Sequence, residues 1–247
     1  MKIKIKKQPP LLASFETHPH LDPTVWEGDS MRSEIGQRLR EIAEEFIEKL
    51  DLQSMKILDI ILTGSLANYN WSKYSDLDVH IVIDFRAIDE NEGLVKKYFD
   101  AVRSNWNRAH DIKVKGYEVE LYVQDADETH ESTGVYSLLN DEWVLKPEPF
   151  TQNINKAAVY KKVKQLVRDI DKTDGYLGRQ RYGDAIELGN KTKTKIKKMR
   201  QAGLERSGVA STENFAFKVL RRSGYMKKLF DSVREAYDEA QSLTEQE

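Results

Sequence analysis

Asp76 and Asp78 flank a single leucine, Leu77, and are followed by Val79. In an extended strand alternate side chains share a face. The two carboxylates would therefore project together while Leu77 and Val79 point into a core. Adjacent carboxylates repel unless a cation lies between them. Oxygen-only ligands suit a hard divalent ion, Mg2+ or Mn2+. Upstream, an apolar run ends at Thr63-Gly64-Ser65. A glycine lets backbone amides come close to a phosphate, and Ser65 adds a hydroxyl donor. A phosphate clamp beside a metal clamp is what phosphoryl transfer requires, because its catalysis is chiefly positioning and charge neutralisation.

Strands must hold these groups. Residues 56–63 read as one strand ending at the Gly-Ser turn, and residues 76–85 as a second. A short helix over 65–69 would aim its N-terminal amides at a phosphate. Residues 112–124 alternate polar and apolar around Gly116, the pattern of a bent strand or hairpin, and place Glu118 and Glu120 on one face. A further short strand is expected over 135–139. Two helices flank these strands in sequence. One starts after Asp29 or Ser30, with Ile35, Leu39, Ile42, Phe46, Ile47 and Leu50 at helical spacing; the other spans 92–110. Residues 1–30, with four prolines, read as largely irregular.

The arrangement resembles the nucleotidyltransferase superfamily of DNA polymerase β. That family carries Gly-Ser at the end of a hydrophobic strand, Asp-x-Asp at the start of the next, and a third carboxylate on a later strand. Gly64-Ser65 and Asp76-Leu77-Asp78 match it, and Ser75 before the first aspartate also fits. The resemblance implies that Gly64, Ser65, Lys73 and Ser75 bind the nucleotide. It also implies that Asp76 and Asp78 are catalytic metal ligands. The third acid lies between hydrophobic residues, and Val119-Glu120-Leu121 fits best because apolar residues continue beyond it. Tyr117-Glu118-Val119 is the alternative, with Glu118 reading equally as an exposed strand glutamate. Asn68 stands where many members have a glycine. A nearer resemblance is to nucleotidyltransferase-like proteins of tailed phages, in the phrases 62–79, 119–125, 134–143 and 215–224. It brings no established substrate.

After Pro149 the pattern turns helical. Helices are expected over 155–171, 182–202, 214–222 and 225–243, with a glycine-containing loop at 175–178 and a break at 203–211. The formal net charge of −2 conceals an asymmetry: residues 1–150 carry −10 and residues 151–247 carry +8. An acidic catalytic half joined to a basic half suits an enzyme of polyanions, and equally a helical domain with solvated lysines. Six cations between Lys191 and Arg200 spread around their helix rather than along one side. Lys218, Arg221 and Arg222 are the candidate phosphate or nucleic-acid contacts, although cations at a helix end also complement its dipole.

The chain of 247 residues has no cysteine, which excludes disulfides, thiolate catalysis and cysteine zinc sites. Its five histidines lack zincin spacing; no Walker lysine follows Gly64 and no nucleophile elbow is present. His80 continues the face of Asp76 and Asp78 and borders the site. No apolar run approaches the ~20 residues of a membrane span, and the basic N-terminus lacks the long apolar segment of a secretory signal. The expectation is a cytoplasmic α+β protein, in the host cytoplasm if phage-encoded, with no membrane partner. The resemblance implies a small mixed sheet with helices on one side over residues 1–150, and the helical pattern an α-helical domain over residues 151–247. The sequence sets no oligomeric state. The resemblance implies Mg2+- or Mn2+-dependent transfer of a nucleoside monophosphate from a triphosphate to a hydroxyl acceptor, releasing pyrophosphate. RNA or another nucleic acid is one acceptor class. The alternatives are a catalytically silent nucleic-acid-binding or virion-associated relative, and a protein-modifying (AMPylating) enzyme of the toxin–antitoxin type.

Overall fold

The computed structural model describes residues 14–50, 55–129, 132–151 and 153–242. The basic N-terminal stretch, the last few residues and His130 lie outside them. Ser14–Thr151 forms one compact unit, and the described part of Gln152–Glu247 belongs to another. Among the described residues no helix is long and apolar enough to cross a membrane.

The first unit opens with a two-stranded hairpin, β1 (Trp26–Glu27) and β2 (Ser30–Met31), where irregular chain is expected. Gly28 turns it at φ +63°, and burial of Trp26 and Met31 secures it. Helix α1 (Ser33–Lys49) follows, then β3 (Asp59–Thr63), β4 (Leu77–Ile83), helix α2 (Glu92–Ala109), β5 (Lys113–Val114) and β6 (Tyr117–Asp125). The unit ends with β7 (Val135–Ser137) and β8 (Glu142–Leu145). The six strands β3–β8 form one mixed sheet in the order β5-β6-β4-β3-β7-β8. Only the β4–β6 pair is parallel, and α2 provides the crossover between them. Strand β8 was not expected, because its side chains are mostly exposed and carry no alternation.

Alternation decides which face of the sheet is covered. Leu77, Val79, Ile81 and Ile83 of β4 are buried, while Asp78, His80 and Val82 between them are half-buried. The buried set joins one apolar core with Ile35, Leu39, Ile42 and Phe46 of α1 and with Val95, Phe99 and Trp106 of α2. At the outer edge of β6, beyond its short pairing with β5, Asn107 of α2 does the work of a strand. Its amide donates to the Leu121 carbonyl at 3.2 Å and accepts from the Leu121 N–H at 3.3 Å.

The second unit is all helical: α3 (Lys156–Leu177), α4 (Tyr182–Ser207), α5 (Thr212–Arg222) and α6 (Tyr225–Gln241). Two helices run further than expected. Helix α3 continues through Gly175 and ends at Gly178, because buried Thr173 must pack and Lys228 of α6 holds both Asp171 and Asp174 at 2.9 Å. Helix α4 continues through Gly203, where a Cβ would meet the Glu213 Cβ at 2.6 Å. That glycine marks close helix contact rather than a stop. The chain breaks instead at Gly208 and at Gly224, whose φ of +60° and +79° suit glycine.

Glu213, at the start of α5, is 7% exposed. Burial alone would raise its pKa, but hydrogen bonds from Arg206 and Lys162, at 2.8 and 3.1 Å, outweigh that and hold it down at about 2. A carboxylate with a depressed folded-state pKa contributes stability above its unfolded value and loses it as pH falls through the folded one. Thermal melts should therefore show stability falling between about pH 4.5 and 2. Glu213→Gln should cost about 1–3 kcal/mol at neutral pH and remove that acid step.

Candidate active site

The site lies on the sheet face opposite the apolar core. Asp78 is the second residue of β4, and the parallel ladder seats it beside Glu120 of β6. Neighbouring strands run about 4.8 Å apart, and paired side chains point the same way. Asp76 precedes β4 by one residue, half-buried. Glu118 is exposed and faces Lys113 of β5, 3.9 Å away. The register therefore separates the two glutamates that sequence reasoning left close together.

Electrostatics tie the cluster together. Tyr122 donates its hydroxyl to Glu120 Oε2 at 2.8 Å. Its pKa is pushed well above that of an ordinary phenol, first by burial and then by the negative charges of Glu120 and Asp78. The Arg103 guanidinium lies 4.5 Å from the centre of the Tyr122 ring, bringing a cation from α2 to this face. His80 packs against the same ring at 4.7 Å. Its Nδ1 lies 2.6 Å from Gln124 Oε1, and the Gln124 amide nitrogen donates to the Glu128 carbonyl. Pattern reasoning placed His80 at the border. It missed Tyr122 and Arg103, since an aromatic on a strand and an arginine on a helix carry no motif.

Gly64 is fitted to Asp78. It has φ +77°, and a Cβ there would lie 2.0 Å from Asp78 Oδ2. Its missing side chain is the room the carboxylate occupies. Ser65 donates to Ser75 Oγ at 2.7 Å, and Ser75 also accepts the Ser72 N–H at 2.9 Å. Ser75 is 5% exposed, so its hydroxyl shapes the turn from inside. Lys73 is exposed, its ammonium 5.1 Å from the Tyr74 ring centre.

The short helix expected over 65–69 is absent; residues 64–70 form successive turns. The carbonyls a helix would use face other partners. Leu66 C=O accepts from the Trp26 indole at 2.7 Å, and Ser65 C=O accepts from the Asn68 N–H at 3.2 Å. Asn68 directs its own oxygen to the Tyr69 N–H and its amide nitrogen to Thr133 Oγ1. The glycine missing at Asn68 has a counterpart across the loop. At Gly134 a Cβ would sit 1.8 Å from the Ala67 carbonyl oxygen. The close approach exists, with the glycine on the opposing segment.

Three carboxylates offer only hard oxygen donors, the right chemistry for Mg2+ or Mn2+. Among the described residues no group of three His, Asp or Glu side chains is gathered so as to hold a metal ion as it stands. Glu120 instead accepts the Tyr122 hydroxyl. Lys218, Arg221 and Arg222 lie on α5 in the helical unit, Arg221 exposed and the other two half-buried. Comparison with protein-family models, curated proteins and solved structures gives no match to this chain.

Gly134→Ala should press a methyl into the Ala67 backbone, which cannot rotate away. The expected cost is about 1–3 kcal/mol, read by chemical denaturation. Gly175→Ala provides the contrast: it stands in open space on α3, and should add about 0.5–1 kcal/mol.

Proposed function

We propose that this chain is a metal-dependent nucleotidyltransferase, moving a nucleoside monophosphate from a triphosphate to a hydroxyl acceptor. The observation that carries the reading is the β4–β6 register, with Asp78 beside Glu120 and Gly64 packed against Asp78. Asp76, Asp78 and Glu120 would hold Mg2+ or Mn2+, which when bound neutralises phosphate charge and favours loss of the acceptor proton. Ser65 would turn its hydroxyl from Ser75 to donate to the triphosphate, and Lys73 adds an exposed positive charge beside the turn. The acceptor oxygen forms a bond to the α-phosphorus in line with the bond that breaks, and pyrophosphate leaves with the electron pair. Tyr122 orients Glu120 by its hydrogen bond, and Arg103 over the Tyr122 ring adds positive charge beside it.

A second reading is a catalytically silent polyanion-binding relative. It is favoured by the carboxylates not being gathered into a metal-holding group and by the +8 balance of residues 151–247. The two readings separate on nucleotide chemistry. Labelled ATP, GTP, CTP and UTP with Mg2+, screened against RNA, protein and small-molecule hydroxyl acceptors, should give covalent transfer and pyrophosphate under the first reading only.

Asp76→Asn and Asp78→Asn should each keep the wild-type fold by circular dichroism and lose transfer by on the order of 100-fold or more. They should also lose the thermal stabilisation that Mg2+ plus triphosphate provides, about 2.7 kcal/mol at a hundredfold excess over Kd. Wild-type stabilisation and turnover in both variants would refute the metal-site assignment.

Glu120→Gln should lower kcat far more than it raises KM for the triphosphate, since this acid stands on the acceptor side. Glu118→Gln, a change at an exposed residue, should be mild. Steady-state kinetics of the two variants side by side decide the matter, and the reverse ranking would move the role to Glu118.

A further inference from the structure

The turn after Gly64-Ser65 is fastened from outside the motif. Trp26 is 1% exposed, and its indole N–H donates to the Leu66 carbonyl at 2.7 Å. The indole stacks on Trp143 at 4.6 Å and meets Tyr136 edge-on at 5.0 Å. The hairpin that carries it is itself locked. The Asp22 carbonyl accepts from the Val25 and Trp26 N–H groups, and the Arg32 N–H donates to the Val25 carbonyl. The buried Asp22 carboxylate accepts from the Thr24 N–H at 2.7 Å and from the Tyr117 hydroxyl. Tyr117 opens β6, the strand of Glu120. One braced segment thus reaches the Gly-Ser turn through Trp26 and the third-acid strand through Asp22.

We infer that Trp26 is a positioning residue for triphosphate binding, an inference that rests on the transfer reading above. Peptide units are planar, so the direction of the Leu66 carbonyl sets the plane that follows it. The Asn68 N–H to Ser65 carbonyl bond sets the plane before it. Together they hold the turn in the shape that presents Ser65. A group held in place before the ligand arrives loses less entropy when it binds.

Two variants isolate the indole N–H. Trp26→Phe keeps an aromatic ring, and site-specific benzothienylalanine at position 26 keeps the indole shape with sulfur in place of N–H. The probes are ATP, GTP, CTP and UTP, each with Mg2+, titrated by calorimetry, with amide hydrogen exchange read in parallel. Both variants should bind triphosphate about three- to tenfold more weakly, the equivalent of one hydrogen bond. Exchange over residues 65–69 should quicken while β3 and β4 stay protected. Trp143→Phe disturbs the same aromatic stack and removes the Trp143 indole bond to the Asp29 carbonyl in the hairpin turn, leaving the Leu66 carbonyl bond in place, and should leave affinity within about twofold. Wild-type affinity in the benzothienylalanine variant would overturn the inference, as would an equal loss in Trp143→Phe. If the wild-type chain bound no triphosphate, the transfer reading and this inference would fall together. Wild-type binding that depends on Asp78 but not on the Trp26 N–H would remove the inference alone.

Discussion

Seven residues of β4 lie in parallel beside β6, and the two-residue alternation of that ladder sets which face carries Asp78 and Glu120. Leu77 against Val119 and Val79 against Leu121 face the core, so Asp78 against Glu120 and His80 against Tyr122 must face the other way. A one-residue slip of either strand would send its carboxylate into the apolar layer under α1 and α2, at the cost of a buried unpaired charge. The hydrophobic face therefore enforces the acidic one. The Tyr122 pKa is raised there, first by burial and then by the negative charges of Glu120 and Asp78.

The Gly-Ser turn obeys a different logic. It has neither a helical ladder nor a sheet partner beyond Thr63, so its shape is imposed by neighbours far away in sequence. The Trp26 indole, Thr133 and Gly134 hold its far side, and Ser75 clasps its near side. His18 adds a third restraint, stacking on Trp71 at 3.8 Å while its N–H donates to the Tyr69 carbonyl. Irregular backbone buried in this way must find a partner for its polar groups. Here side chains supply several of them.

In the helical unit, glycines let the helices close tightly around an apolar core that includes Val163, Leu166, Ile170, Phe215 and Leu220. A Cβ on Gly189 would meet Val233 at 2.1 Å, and one on Gly203 would meet Glu213. Much of the positive charge of this half is engaged internally. Lys162, Arg206, Lys195 and Lys228 all pair with carboxylates of the same unit. Arg200 stacks on Phe217 at 4.3 Å. These pairs leave the +8 balance unchanged, because it already counts every carboxylate of the segment.

Local pattern alone determined the strands of the acidic motif, the two flanking helices and the all-helical character of the C-terminal half. Each depends on periodicity within a single element, which a sequence displays directly. The shared face of Glu118 and Glu120 within β6 followed from the same rule, whereas Asp76 lies one residue outside β4. Tertiary structure alone decided which glutamate stands beside Asp78, because strand register depends on a partner 42 residues away. It also decided that residues 65–69 turn rather than coil, since Trp26 and Asn68 engage the carbonyls and amides there. Gly175 and Gly203 proved to be helical for a related reason. A glycine in isolation reads as a breaker, but at Gly203 the backbone needs the space a side chain would fill, and at Gly175 packing on either side keeps the helix intact. What depends on neighbours in space becomes legible only when the chain has brought them there.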